Sequence, residues 1–172
     1  MIIFVVLRRH WDQDYIRSFV FGCQDALVST SGVIVGVGTA IANRQYILLS
    51  ATITILVEAI SMAAGQYLSE KSVHDLPHNR HRDNLIYGSL IMLVSYLFGG
   101  FIPLVPVFFA PINLLLPLSI LFAFLGLLTL GYLKGMLFTT HPIRSSLEVL
   151  LVGGLAVLIG LTVGLFFRIG SN

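Results

Sequence analysis

Apolar residues in this chain fall in long continuous runs, without the strict alternation of a half-buried strand. From Leu85 to Leu133 there is no Asp, Glu, Lys or Arg at all. That run is too long for one membrane span of about 20 residues and about right for two with a hairpin between them. Pro103, Pro106 and Pro111 mark the hairpin, because proline ends or kinks helices and favours turns. These signals place spans near residues 85–106 and 112–133. Three further runs read as spans near Phe19–Ala42, Tyr46–Leu68 and Ser146–Phe167. Continuous rather than alternating runs predict helices in place of a β-barrel. The expectation is an all-α integral membrane protein: one domain over residues 1–172 with five transmembrane helices.

Composition agrees with that class. The chain is 56% hydrophobic and 10% charged, with a mean hydropathy of +0.93, outside the range of soluble domains. Met1–Leu7 is too short for the apolar region of a signal peptide, and Arg8, Arg9 and His10 follow it where such charges would precede. It reads as an interfacial segment, with Trp11 and Tyr15 as headgroup anchors.

Charge fixes the expected orientation. With a cytoplasmic N-terminus, Arg8, Arg9, Arg17, Lys71, Arg80, Arg82, Lys134 and Arg144 fall inside, and Arg44 and Arg168 fall outside. The positive-inside rule favours this arrangement, and an odd number of spans puts the C-terminus outside. Membrane topology thus explains the basic balance without nucleic-acid binding. The single Cys23 says nothing about disulfides.

Candidate chemistry lies where charge interrupts the apolar runs. Asp25 and Glu58 sit inside the first two spans, and a carboxylate in a bilayer is kept mainly to bind an ion, relay a proton or pair with a cation. Helical rise puts Asp25 and Met62 about 10 Å into the membrane, with Glu58 about one turn deeper. Antiparallel first and second spans let Asp25 face Met62 and Glu58. Glu58, Met62 and Gln66 are spaced i, i+4, i+8 and share a helix face. Hard oxygens with one soft thioether suit Fe²⁺ or Mn²⁺ better than Mg²⁺ or Ca²⁺. The plainer alternatives are pairing of Asp25 with Arg17, a protonated Glu58 bonded between helices, and Met62 as simple packing. Glu148 stands one turn from Arg144 and reads as a local ion pair.

Gly32, Gly36 and Ala40 form a seam of small residues in the first span, and Gly160 and Gly164 repeat it in the last. Such seams allow close helix approach, within one chain or between two. In the connection from Glu70 to Asp83, Pro77 separates His74 from His78 and argues against a regular helical chelate with His81, so this stretch reads as a solvated loop. No HExxH, GxSxG, P-loop or dinucleotide fingerprint occurs, so neither an enzyme nor a nucleotide-driven pump is expected.

At these residues the chain resembles the vacuolar iron transporter (VIT) family. The matching segments are FGCQDALVSTSGVIVGV, EAISMAAGQYLSEKS, IPLVPVFF, and GYLKG through RSSLEVLLVGGLAVLIG, covering Arg17 to about Gly164. The resemblance implies five helices and a homodimer with an ion path between first helices. It also implies export of Fe²⁺ or Mn²⁺ from the cytosol, often against protons, with the metal as substrate and no cofactor. It implies metal contact by Asp25 and Met62, to which the reading above adds Glu58 and Gln66, and it makes Gly32 and Gly36 candidate dimer contacts. Two departures stand out. The family usually has Glu where this chain has Gln66, whose amide can coordinate but cannot carry a proton. Eukaryotic members also insert an acidic metal-binding domain between spans two and three, where this chain has a short loop. The compact form looks prokaryotic and implies the cell membrane, or a vacuolar-type membrane in a eukaryote. The competing readings are a proton-coupled carrier of another cation and a non-transporting membrane assembly protein that binds a partner through its glycine seams.

Overall fold

The computed structural model describes residues 13–75, 84–138 and 141–168, and these form five helices with no strand among them. They are α1 (Gln13–Ala40), α2 (Arg44–His74), α3 (Leu85–Phe109), α4 (Ile112–Leu137) and α5 (Pro142–Phe166). All five are long and apolar enough to cross a membrane. The chain is an all-α integral membrane protein. The expected interfacial segment Met1–Leu7 with Trp11 lies outside the described residues, as do His78 and His81.

Helix starts follow local chemistry. Asn43 Oδ1 accepts from the Gln45 N–H at 2.9 Å and Asn84 Oδ1 from the Ile86 N–H at 3.1 Å, each satisfying one of the donors a first turn leaves unpaired. Pro142 occupies the first turn of α5, where its missing N–H costs nothing. Arg44 donates to the carbonyls of Phe108 and Ala110, tying the start of α2 to the end of α3.

The α3–α4 hairpin is tighter than the prolines predict. Pro103 and Pro106 lie inside α3, and both are buried. Helix α3 runs on to Phe109, and the turn is Ala110–Pro111. The missing N–H groups of buried prolines are tolerable in a membrane helix because neighbouring helices support the backbone there. Ala110 N–H closes the last turn onto the Pro106 carbonyl at 2.8 Å.

Helix α1 is the hub of the bundle, packed against all four others. Toward α3, a Cβ placed on Gly99 would lie 2.7 Å from the Cys23 carbonyl oxygen; toward α5, one on Gly160 would lie 2.3 Å from Gly32 O and one on Gly164 2.4 Å from Gly36 O. These distances leave no room for a side chain, so backbone meets backbone. The two glycine seams are therefore each other's partners. Gly32 and Gly36 make this approach within the chain against Ala156 and Gly160 of α5, and both stay half-buried. The physical reason is that apolar side chains gain little from leaving lipid for protein, so association rests on close van der Waals fit between small residues.

Gly160→Ala pushes a methyl group into the Gly32 carbonyl, whereas Gly154→Ala adds one with nothing within 4 Å. Overpacking of this kind costs about 1–3 kcal/mol. The expected result is a thermal midpoint, followed by circular dichroism in detergent, that falls for Gly160→Ala and stays at or above wild type for Gly154→Ala.

Candidate functional site

Helix α2 carries two neighbouring rows of side chains at i+4 spacing. Ile47, Ala51, Ile55, Ala59 and Ala63 are buried against the bundle. Beside them run Ser50, Thr54, Glu58, Met62, Gln66, Glu70 and His74, every one half-buried. Side chains four apart stack on one helix face, so the second row places polar or metal-donor atoms along nearly the whole length of α2. Sequence reading identified its middle. Folding extends it at both ends.

The row meets α1 at mid-helix. Tyr96 of α3 is fully buried, and its hydroxyl donates to Glu58 Oε2 while lying 2.6 Å from Ser29 Oγ of α1. A phenol has one proton to give; with that proton on the carboxylate, Ser29 must be the donor in the other bond. Asp25 stands one turn before Ser29 on α1, half-buried and within electrostatic reach of Glu58. Met62 packs against the cluster of Ala26, Ala59 and Tyr96. Asp25, Glu58 and Met62 are thus gathered around one tyrosine. The expected alternative partner, Arg17, forms no ion pair with Asp25, and among the described residues the ion pair is the exposed Arg144–Glu148, at 3.2 Å. No group of three His, Cys, Asp or Glu among the described residues of one chain is placed to hold a metal.

Gln66 belongs elsewhere. It donates to Glu70 Oε1 and, at 3.2 Å, to Ser18 Oγ, about two helical turns from Glu58. There it lines a cavity of about 170 Å³ with Asp14, Arg17, Ser69, Glu70 and His74. The structure therefore separates the four proposed ligands into a mid-helix trio and Gln66, which sits on α2 beside the N-terminal end of α1.

Sequence reading missed Tyr96, Ser29 and Glu70 as members of this arrangement. A signal existed for the first: tyrosines of membrane helices favour the interfaces, and Tyr96 stands near the middle of α3. Glu70 was legible as the next i+4 step after Gln66.

A profile of the VIT family matches residues 16–84 and 76–165, which together take in nearly all of the five helices and the whole Tyr96 cluster. The chain belongs to the VIT family. Among its curated relatives, vacuolar iron transporter homolog 2 of Oryza sativa subsp. japonica is 27% identical, over 84% of this chain and 86% of its own length. Vacuolar iron transporter homolog 2 of Arabidopsis thaliana is also 27% identical, over 91% and 85%. Vacuolar iron transporter 1 of Eucalyptus grandis is 21% identical, over 83% and 82%. That last alignment spans 205 positions against the 172 residues of this VIT chain, so the Eucalyptus protein carries internal residues that this one lacks.

Because Gln66 acts as donor to Glu70, Gln66→Glu replaces a donor with a second acceptor and leaves two carboxylates face to face. A lost hydrogen bond with an unsatisfied partner costs about 1–3 kcal/mol. The thermal midpoint of Gln66→Glu should fall, and the exchanged pair Gln66→Glu with Glu70→Gln should recover most of the loss. Equal midpoints for the single and exchanged variants would show that the contact carries no stability.

Proposed function

We propose that this protein is a divalent transition-metal transporter, with Fe²⁺ or Mn²⁺ as substrate, that moves the ion out of the cytosol in exchange for protons. The observation that carries this reading is the convergence of Asp25, Glu58 and Met62 around Tyr96 at the centre of a membrane bundle, with neither carboxylate ion-paired among the described residues. Unpaired carboxylates in hydrocarbon are costly, and a bound cation offsets that cost. The thioether adds a soft donor that hard Ca²⁺ and Mg²⁺ do not favour. Family membership and relatives named as vacuolar iron transporters support the same substrate.

The functional unit in this reading is a homodimer. One chain supplies two carboxylates and one thioether, short of a full coordination shell for such ions. On α1, Asp25, Ser29, Gly32 and Gly36 form a single half-buried stripe. A second copy closing over that stripe would remove Asp25 from lipid and bring two sets of donors together. By the positive-inside rule, the cavity at Gln66, Glu70 and His74 opens to the cytosol, which makes it the entrance. Glu58 is the group that exchanges metal for protons, since Gln66 cannot carry one.

Reconstituted protein with an imposed pH gradient tests this directly. Asp25→Asn and Glu58→Gln keep size and hydrogen-bonding capacity while removing an anionic ligand; each should reduce Fe²⁺ or Mn²⁺ flux at least about tenfold, the equivalent of ~1.4 kcal/mol in binding, with the dimer intact. Met62→Leu should weaken the softer ion more than the harder one. Wild-type flux in both carboxylate variants at matched protein levels refutes the mechanism.

A further inference from the structure

We infer that Tyr96 is a positioning residue that makes Glu58 a one-oxygen ligand and so sets the site against Ca²⁺. The inference rests on the metal-binding role proposed for Glu58 and goes beyond it to ion selectivity.

Glu58 is held on one side by a phenol. Its Oε2 accepts the Tyr96 hydroxyl proton, and that hydroxyl is in turn fixed by Ser29 at 2.6 Å. Tyr96 itself cannot swing away. It is fully buried on α3, and its cluster with Ala26 and Ala59 locks the ring from α1 and α2. A mid-membrane tyrosine in contact with three helices gives the carboxylate a fixed direction. One oxygen faces the phenol, and Oε1 is left for an ion.

Coordination chemistry supplies the consequence. Ca²⁺ takes about 6–8 oxygens at roughly 2.3–2.6 Å and commonly draws on both oxygens of a carboxylate. Fe²⁺ and Mn²⁺ accept fewer, single-oxygen donors alongside a thioether. A carboxylate with one oxygen committed to a buried phenol is a poor ligand for the larger ion and an adequate one for the smaller. Helix packing does not require this hydroxyl, since phenylalanine would fill the same space. The hydroxyl instead decides which atoms of Glu58 are free.

The test uses purified full-length protein and Mn²⁺, whose binding is read from loss of the free-ion electron paramagnetic resonance signal, with Ca²⁺ as competitor. Tyr96→Phe keeps the ring and frees Oε2. Ca²⁺ should then compete about tenfold better relative to Mn²⁺. Gly154→Ala, which adds a methyl group with nothing within 4 Å, should keep the wild-type ratio. A folded Tyr96→Phe protein with an unchanged Ca²⁺/Mn²⁺ ratio overturns the inference. Should that variant not fold, infrared difference spectra of wild-type protein with and without Mn²⁺ decide instead, with the Glu58 band assigned by its loss in Glu58→Gln. The wide splitting of carboxylate stretches typical of one-oxygen coordination supports the inference, and the narrow splitting of two-oxygen chelation overturns it. If Glu58→Gln binds Mn²⁺ as wild type does, the ligand role of Glu58 fails, and this inference with it. If that variant loses Mn²⁺ while Tyr96→Phe leaves the ratio unmoved, only the inference fails.

Discussion

Backbone-to-backbone contact between α1 and its neighbours is the constraint on which the rest of this structure depends. In water, a bundle gains stability from removing apolar area from solvent; in lipid, that gain is largely absent, and close fit must supply it. Gly99, Gly160 and Gly164 provide the fit, because a single methyl group at any of them would collide with a carbonyl of α1. Gly131 and Gly135 do the same for α4 against the start of α5, each with backbone 2.5 Å from where its Cβ would stand. Side-chain packing then fills in around these contacts, as in the cluster of Ile34, Ile47, Ile55, Leu104 and Leu115.

A hub helix made largely of small residues has a chemical consequence. It brings the one acidic residue in its interior, Asp25, into a region where other helices can reach it. Helix α2 reaches it with Glu58 and Met62, and α3 reaches between them with Tyr96. Burial is graded across this cluster: Tyr96 is enclosed, and the carboxylates and thioether around it are half-open. Such grading suits a transport site, where the scaffold must stay rigid while the donors remain open to an incoming ion.

Much of this was legible from the chain. Continuous apolar runs identify five membrane helices because each helix must satisfy its own backbone in lipid, a requirement local in sequence. Asp25 and Glu58 stand out because charge is so scarce there, and Met62 because it lies one helical turn from Glu58. What failed to show depends on partners far along the chain. The prolines at 103 and 106 look like turn residues until the neighbouring helices that support them are known. The seam at Gly32 and Gly36 announces a close contact without naming its partners, and α5 of the same molecule is one of them. Gln66 shares a helix face with Glu58, yet its hydrogen bonds run to Ser18 and Glu70. Tyr96 stands out only by its place near the middle of α3, and nothing in α3 alone says that its hydroxyl spans α1 and α2.

Cys23 has a practical consequence of its own. It is the sole cysteine of the chain, it is 4% exposed, and its thiol donates to the Ser95 carbonyl at 3.3 Å inside the α1–α3 contact. A thiol so enclosed reacts slowly with reagents in bulk water. The natural sequence is therefore already a background for site-directed chemistry. A cysteine introduced on any exposed surface becomes the reactive thiol of the molecule, and spin labels, fluorophores or cross-linkers placed there report on that position, with the native packing between α1 and α3 left undisturbed.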